Sequence, residues 1–250
     1  YATNPAFLTV DASIKYLSTG GNENPLYNEM VGLGRVQNIV ASSTAVGAYD
    51  RNNDPRVAKF YDLLATDAAA KTERSIPQGT YNANTGKTVS PPSPLVGARA
   101  SNSASATAPV KFFSVAESYF LQAEAVARGW SNGTGNVTTL YNQGIQASFT
   151  AVGAGDATSY IANAPDGAAA LTGNTEALVK AIITQKYYAL NGFQGFEAWT
   201  EWRRTGYPTF LVQSAASTIG AGRMPLRMIY PSTEATSNKN FPGLVTIYTP

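Results

Sequence analysis

The sequence lacks two residue types on which much enzyme chemistry depends, histidine and cysteine. Without histidine the chain cannot form a Ser-His-Asp or Cys-His catalytic arrangement, and it lacks the commonest ligand of transition metals. Without cysteine it forms no disulfide, no cysteine-ligated zinc site and no thiol nucleophile. The two absences exclude the commonest forms of nucleophilic catalysis within the chain.

Charge and long apolar segments are also scarce. Asp, Glu, Lys and Arg make up 14% of the 250 residues, and the formal net charge is +2. No run of Lys and Arg has the length of a basic arm, so no nucleic-acid partner is expected. No run of 18 apolar residues occurs, so we expect no membrane-spanning helix. The first residues, YATNPAFLTVD, do not form a signal peptide and include no initiator methionine, so we expect a mature protein or a fragment.

Apolar residues are plentiful, at 44% of the chain, and in its second half they recur at helical spacing. In FFSVAESYFLQAEAVARGW, Ser114 and Glu117 stand at the spacing of a capping box, and Gly129 ends the helix. TTLYNQGIQASFTAVG follows after a short loop. Two such helices with a short connection predict an antiparallel helical hairpin, in which small residues such as Gly144 allow close approach.

Two further helices are predicted after this hairpin. NTEALVKAIITQKYYAL has a wide apolar face, typical of a helix covered on two sides. GFEAWTEWRRTG follows and is closed by Gly206 and Pro208. By contrast, residues 71–108 are rich in Pro, Gly, Ser and Asn without regular periodicity, which predicts a long loop insertion. We expect a mainly α fold of helical hairpins and irregular loops, with a few short strands, in a single domain portion over residues 1–250.

The segment DRNNDP places Asp50, Asn52 and Asp54 at the 1, 3, 5 spacing of a calcium-binding loop. The sixth position is Pro55 where that loop needs glycine, and the twelfth is Tyr61 where it needs a bidentate glutamate. Asp54 also stands where a helix N-cap belongs, with Pro55 suited to the first helical position. The cap explains the segment better than calcium does, and no metal or cofactor is expected.

Glu197 and Glu201 are four residues apart on the last predicted helix, close to the carboxyl separation of a retaining glycosidase. A carbohydrate-active hydrolase that uses this pair is one hypothesis. However, Arg204 follows Glu201 at the spacing of a helical ion pair, which would keep the carboxylate ionised and unable to donate a proton.

The same helix holds two of the three tryptophans beside two adjacent arginines. Trp199 and Trp202 are three residues apart and share a helix face. With Phe196 they form either a buried core stripe, which we favour, or a platform that stacks on sugar rings. Arg203 and Arg204 complement the helix dipole and can bond the last carbonyls. The favoured interpretation of the two tryptophans and two arginines is a structural clamp.

The loop insertion carries Tyr81, Asn82, Asn84 and Arg99 in a stretch with little apolar content. An aromatic ring can stack on sugar C–H groups while amides and a guanidinium bond the hydroxyls. These four residues are therefore the candidate ligand-binding residues. The alternative is a disordered or packing loop without a ligand.

Several short motifs occur in a fixed order along the chain. They are NPLY and NDPR near the N-terminus, AEA followed by RGW, then TQK, then EAW with WRRTG and a proline, and finally YP with a later Glu and Asn. Together they resemble the SusD/RagB family, the surface glycan-binding lipoproteins of Bacteroidetes outer membranes. Taken together, the motifs are a specific signal of the family, whereas each motif alone is a weak one.

The resemblance implies tetratricopeptide-like helical hairpins, in a SusD-like α-α superhelix, that support a loop-rich ligand face. It implies a non-catalytic protein on the extracellular face of the outer membrane. Such a protein binds oligosaccharide or polysaccharide and delivers it to a SusC-like TonB-dependent transporter. Family members carry an N-terminal lipid anchor and an N-terminal region absent from this chain, so we expect a C-terminal portion. Ligand residues vary across the family and none is carried over. A peptide-binding helical-repeat scaffold is the second alternative, beside the hydrolase.

Overall fold

The computed structural model describes residues 8–32, 39–64, 73–80, 88–130, 135–243 and 245–247. These residues are mainly helical, which confirms the expected fold class. Two short strands, β1 (Ala12–Ile14) and β2 (Val110–Phe113), pair antiparallel. The helices, in chain order, are α1 (Pro25–Gly32), α2 (Ser43–Arg51), α3 (Val57–Phe60), α4 (Val115–Ala127), α5 (Val137–Val152), α6 (Thr158–Asn163), α7 (Thr175–Leu190), α8 (Gly195–Thr205) and α9 (Ser232–Ser237).

The predicted hairpin is formed by α4 and α5, which pack closely on one another. Ser114 caps α4 as its sequence predicts, because its hydroxyl accepts a hydrogen bond of 3.1 Å from the backbone N of Glu117. Gly144 of α5 lies against the ring of Phe120, and a Cβ at this position would stand 2.7 Å from Phe120 Cε1. Only glycine therefore lets the two helices approach this closely.

Helix α7 runs through the centre of the helical body. Ten of its sixteen residues are buried, from Val179 to Leu190, as expected from its wide apolar face. Ile182 and Ala181 join the core that α4, α5 and α6 form, whereas Tyr188 joins a second core cluster with α2 and α3. The position of α7 explains why polar residues on it, Gln185 and Lys186, are also buried.

The DRNNDP segment leads into Arg56, a fully buried arginine. Its guanidinium donates to both carboxylate oxygens of Asp54, with Nε 3.0 Å from Oδ1 and Nη2 2.6 Å from Oδ2. Nη1 donates to Ser148 Oγ at 2.8 Å. Four rings lie within 6.0 Å of Cζ, those of Tyr49, Phe149, Tyr160 and Tyr188. The carbonyl of Asp54 begins a turn by accepting from Val57 N at 3.2 Å, but the predicted N-cap at Asp54 is wrong, because Arg56 holds that position and α3 has only four residues.

The described parts of the loop insertion are built into the fold. Val89, Ser90 and Ala98 are buried, which agrees at these positions with the alternative of a packing loop. The backbone of Ser90 accepts from Ala41 N at 2.9 Å, just before α2. Because small and proline-rich sequence can pack without forming helices or strands, low apolar content did not reveal this burial.

Candidate functional site

Three of the four candidate ligand residues in the loop, Tyr81, Asn82 and Asn84, lie outside the described residues. Arg99 is half-buried, and its Nε lies 3.6 Å from Asp62 Oδ2. Its backbone N donates to Ser105 Oγ at 3.1 Å. Arg99 is therefore tied to neighbouring loop residues, and the loop site stays a prediction.

The expected core stripe on α8 is wrong: no residue of this helix is buried. The Phe196 side chain is 56% exposed, while Trp199 and Trp202 are half-buried. At about 100° per residue, Phe196, Trp199 and Arg203 fall within an arc of about 60°. Helical spacing correctly predicted a shared face, but it does not reveal whether another element covers that face.

Phe196, Trp199 and Arg203 form an aromatic surface on the outside of α8. The two rings are 5.5 Å apart between centroids and tilted by 49°. The Arg203 guanidinium lies 4.8 Å from the centre of the Trp199 ring. The indole N–H of Trp199 donates to the carbonyl of Pro225 at 2.9 Å, so the ring is held in one orientation. The Trp199 ring is thus held in place without a ligand, which lowers the entropy cost of ordering this aromatic surface when a ligand binds.

The opposite side of α8 is charged and faces the protein. Glu201 Oε1 accepts from Lys186 Nζ at 2.9 Å, and Glu201 Oε2 accepts from Arg204 Nε at 3.2 Å. The Lys186 side chain is 2% exposed and that of Glu201 is 13% exposed. Helix α8 is therefore anchored by an ion pair on α7, while the exposed Phe196 and the half-buried Trp199 lie on its other side.

These contacts belong to a longer chain of alternating charges that joins α4, α7 and α8. Arg204 Nη1 donates to Glu124 at 2.7 Å, and Arg128 donates to the same carboxylate at 2.7 Å. At the other end Lys186 pairs with Glu117 at 3.1 Å. The six members of this charge chain are Arg128, Glu124, Arg204, Glu201, Lys186 and Glu117.

The charge chain brings three of the short sequence motifs into contact in the folded protein. Glu124 lies in AEA, Lys186 in TQK, and Glu201 with Arg204 in EAWTEWRRTG. The expected helical ion pair between Glu201 and Arg204 is present. Burial alone raises the pKa of the Glu124 carboxyl, but hydrogen bonds from Arg204 and Arg128 outweigh it and hold that pKa below its ordinary value. Sequence reasoning missed the roles of Glu117, Glu124 and Lys186, although a lysine within the apolar sequence of α7 was a signal.

A groove of about 420 Å³ lies between α4, α5 and residues 9–11. Much of its polar lining is already used within the protein. Gln146 donates to a backbone carbonyl and accepts from Ala157 N at 2.9 Å. Asp11 accepts from Val115 N at 2.8 Å and pairs with Lys111 at 2.8 Å. The aromatic surface of α8 is therefore the better candidate for ligand contact.

Two classes of site are not found in the described parts of the chain. No group of three or more His, Cys, Asp or Glu residues there is arranged to hold a metal ion. None of the helices that the structure describes is long and apolar enough to cross a membrane.

Comparison with known proteins places this fold in a family. A family model of SusD-like proteins, described as starch-binding and associating with the outer membrane, matches residues 7–231. The structure resembles that of a SusD homologue from Bacteroides vulgatus ATCC 8482, with 26% sequence identity and a TM-score of 0.71 over 94% of this chain and 50% of that one. A search of curated protein sequences gave no match.

Two further solved structures share the fold. A SusD homologue from Bacteroides ovatus ATCC 8483 is 24% identical, with a TM-score of 0.69 over 90% of this chain and 50% of that one. A chitin-binding SusD homologue from Flavobacterium johnsoniae is 24% identical, with a TM-score of 0.67 over 90% of this chain and 49% of that one. The chain thus spans about half the length of these solved relatives. The match of the family model over most of the sequence confirms the resemblance of the motifs: this chain belongs to the SusD-like family.

Proposed function

We propose that this protein binds oligosaccharide or polysaccharide without catalysis, at the extracellular face of the outer membrane, and delivers it to a SusC-like TonB-dependent transporter. The observation that carries the proposal is the Phe196 ring, 56% exposed and packed against an indole of fixed orientation. An exposed, ordered aromatic pair offers an apolar face for sugar C–H groups. Arg203 beside it offers donors for sugar hydroxyls.

Family membership supports the same function. The family is described as starch-binding and associating with the outer membrane, and the relative from Flavobacterium johnsoniae is described as chitin-binding. Attachment to the membrane through a lipid anchor is what the resemblance implies. Delivery to the transporter follows from the resemblance alone.

The hydrolase hypothesis is disfavoured by the surroundings of Glu201. Both of its carboxylate oxygens accept hydrogen bonds from neighbouring side chains, Lys186 and Arg204, and the side chain is only 13% exposed. A catalytic carboxyl must instead reach the scissile glycosidic bond of a bound sugar. Glu197 lies about 100° from Phe196 around the helix axis and is exposed. We therefore propose that the protein is not an enzyme.

Replacing Phe196 with alanine is expected to weaken carbohydrate binding about two- to twelvefold, because an aromatic contact contributes about 0.5–1.5 kcal/mol beyond its buried area. Titration calorimetry against starch, chitin and acidic oligosaccharides measures the effect. The melting temperature should stay unchanged because the side chain is mainly exposed.

The matched control is Leu17→Ala, which also removes an exposed apolar side chain but lies outside α8. An equal loss of affinity in both variants would contradict the assignment of the site. Capture of a peptide library without any carbohydrate binding would favour the alternative of a peptide-binding scaffold.

The loop prediction is tested separately. Tyr81→Ala is expected to weaken carbohydrate binding without a change in melting temperature, since a stacking ring would be lost. Calorimetry with the same oligosaccharides allows the affinities of Tyr81→Ala and Phe196→Ala to be compared directly. Unchanged affinity in Tyr81→Ala would remove the loop from the proposed site and leave the aromatic surface of α8.

A further inference from the structure

We infer that the aromatic surface of α8 selects an acidic polysaccharide, one that carries carboxylate or sulfate groups along a sugar backbone. This inference rests on the proposed function and adds the chemical class of the ligand. Arg203 lies in the aromatic surface, and two further arginines come from the segment whose Pro225 accepts a hydrogen bond from Trp199.

The first arginine belongs to the aromatic surface itself. Arg203 is exposed and its guanidinium lies over the Trp199 ring. Within the residues that the structure describes, Arg203 forms no ion pair with a carboxylate. A guanidinium stacked on a ring keeps its N–H donors at its edge, where they can meet an anion.

The other two arginines come from the segment that crosses Trp199. Pro225 accepts the indole hydrogen bond, and Arg223 and Arg227 stand two residues before and after it. A chain of two residues spans at most about 7 Å, so both backbones lie within that distance of Pro225. Arg227 also stacks on an aromatic ring, with its Cζ 5.3 Å from the centre of the Tyr230 ring.

Of the two glutamates of α8, one is compensated by ion pairs within the protein. Glu201 points to the opposite side of α8 and is shared between Lys186 and Arg204. Glu197 is exposed, on the flank of the helix. Arg203 and Arg227, each stacked on a ring, thus add positive charge beside Glu197, although the whole chain carries only +2.

The guanidinium groups, and the short aromatic surface beside them, favour a polysaccharide over an anionic membrane as the ligand. The guanidinium groups are planar and can form paired hydrogen bonds with carboxylate or sulfate oxygens. Phe196 and Trp199 cover about one helical turn, whereas a helix that lies in a membrane presents a long apolar face. A repeating sugar acid offers ring faces for Phe196 and anions for the arginines at the same time.

The test uses two forms of one polymer, polygalacturonate and its methyl ester, which differ in charge and share the sugar backbone. We expect the full chain to bind polygalacturonate at least about tenfold more tightly than the ester, by calorimetry at low salt. Raising ionic strength from about 0.1 M to about 1 M shortens the Debye length from about 10 Å to about 3 Å and should remove most of this preference. Dextran sulfate, which carries sulfate and no carboxylate, distinguishes sulfate from carboxylate as the preferred anion.

Substitution of single arginines tests whether they cause the preference for polygalacturonate over its ester. Arg227→Gln should weaken polygalacturonate binding about two- to fivefold and leave binding of the ester unchanged. Arg203→Gln should weaken binding of both polymers, and polygalacturonate more than the ester, because Arg203 also donates to sugar hydroxyls. Arg203→Lys should retain part of the affinity. Lys59→Gln removes an exposed charge from α3 and is the matched control, expected to have no effect.

Each contrary outcome has a distinct meaning. Equal affinity for acid and ester, or binding of neutral starch and chitin oligosaccharides alone, would overturn the inference and leave the proposed function standing. Binding to phosphatidylglycerol vesicles in place of polygalacturonate would also overturn the inference. Failure to bind any carbohydrate would overturn the proposed function itself, and the inference with it.

Discussion

Asp54→Ala is expected to lower the free energy of unfolding by about 3–5 kcal/mol, because it leaves the Arg56 charge buried without a carboxylate. Both side chains are fully inaccessible to solvent, and the guanidinium donates to both carboxylate oxygens of Asp54. The four surrounding rings and Ser148 cannot replace a full negative charge. Urea unfolding followed by circular dichroism measures the change as a shift in midpoint at constant m-value.

The matched control is Asp50→Ala, in the same DRNNDP segment but exposed, and its effect should stay within about 0.5 kcal/mol. Adding Arg56→Met to Asp54→Ala removes the stranded charge and is expected to recover part of the stability. If Asp54→Ala lowered the free energy of unfolding by no more than Asp50→Ala, the buried ion pair would not stabilise this part of the core.

Lys186→Met has the second largest expected effect, also about 3–5 kcal/mol. The ammonium lies between Glu117 and Glu201 at 3.1 and 2.9 Å, and the lysine side chain is 2% exposed. Its removal leaves two largely buried carboxylates that repel each other. The same urea titration measures the loss.

Lys180→Met is the control on the same helix, since Lys180 is exposed, and it should change stability by no more than about 0.5 kcal/mol. Adding Glu117→Gln to Lys186→Met should restore part of the loss, because one of the two opposed charges disappears. Identical stability of Lys186→Met and Lys180→Met would mean that the charge chain does not hold α8 in place.

Local features of the helices could be predicted because their causes lie within a few residues. The cap at Ser114 depends on a residue three positions later, and Gly144 allows close packing by lacking a Cβ. The apolar width of α7 predicted its central position. For the same reason the fold class followed from the sequence.

Contacts between distant segments could not be predicted in this way. Glu124 and Arg204 are 80 residues apart, and no periodicity joins them. The exposure of Phe196 depends on which segments cover α8, and spacing within α8 carries no information about that. Similarly, the burial of Val89 and Ser90 follows from how the loop packs beside α2, which composition does not encode.

The arrangement of α8 separates the residues that fold the helix from those that meet solvent. Glu201 and Arg204 attach it to α7 and α4, while Phe196 and Arg203 take no part in the charge chain. Substitutions on the outer side should therefore alter ligand preference at little cost in stability. Of the proposed surface, Trp199 and Arg203 belong to the EAW and WRRTG motifs and Phe196 lies just before them, so Phe196 is the position at which we expect substitutions to change ligand preference while the fold is kept.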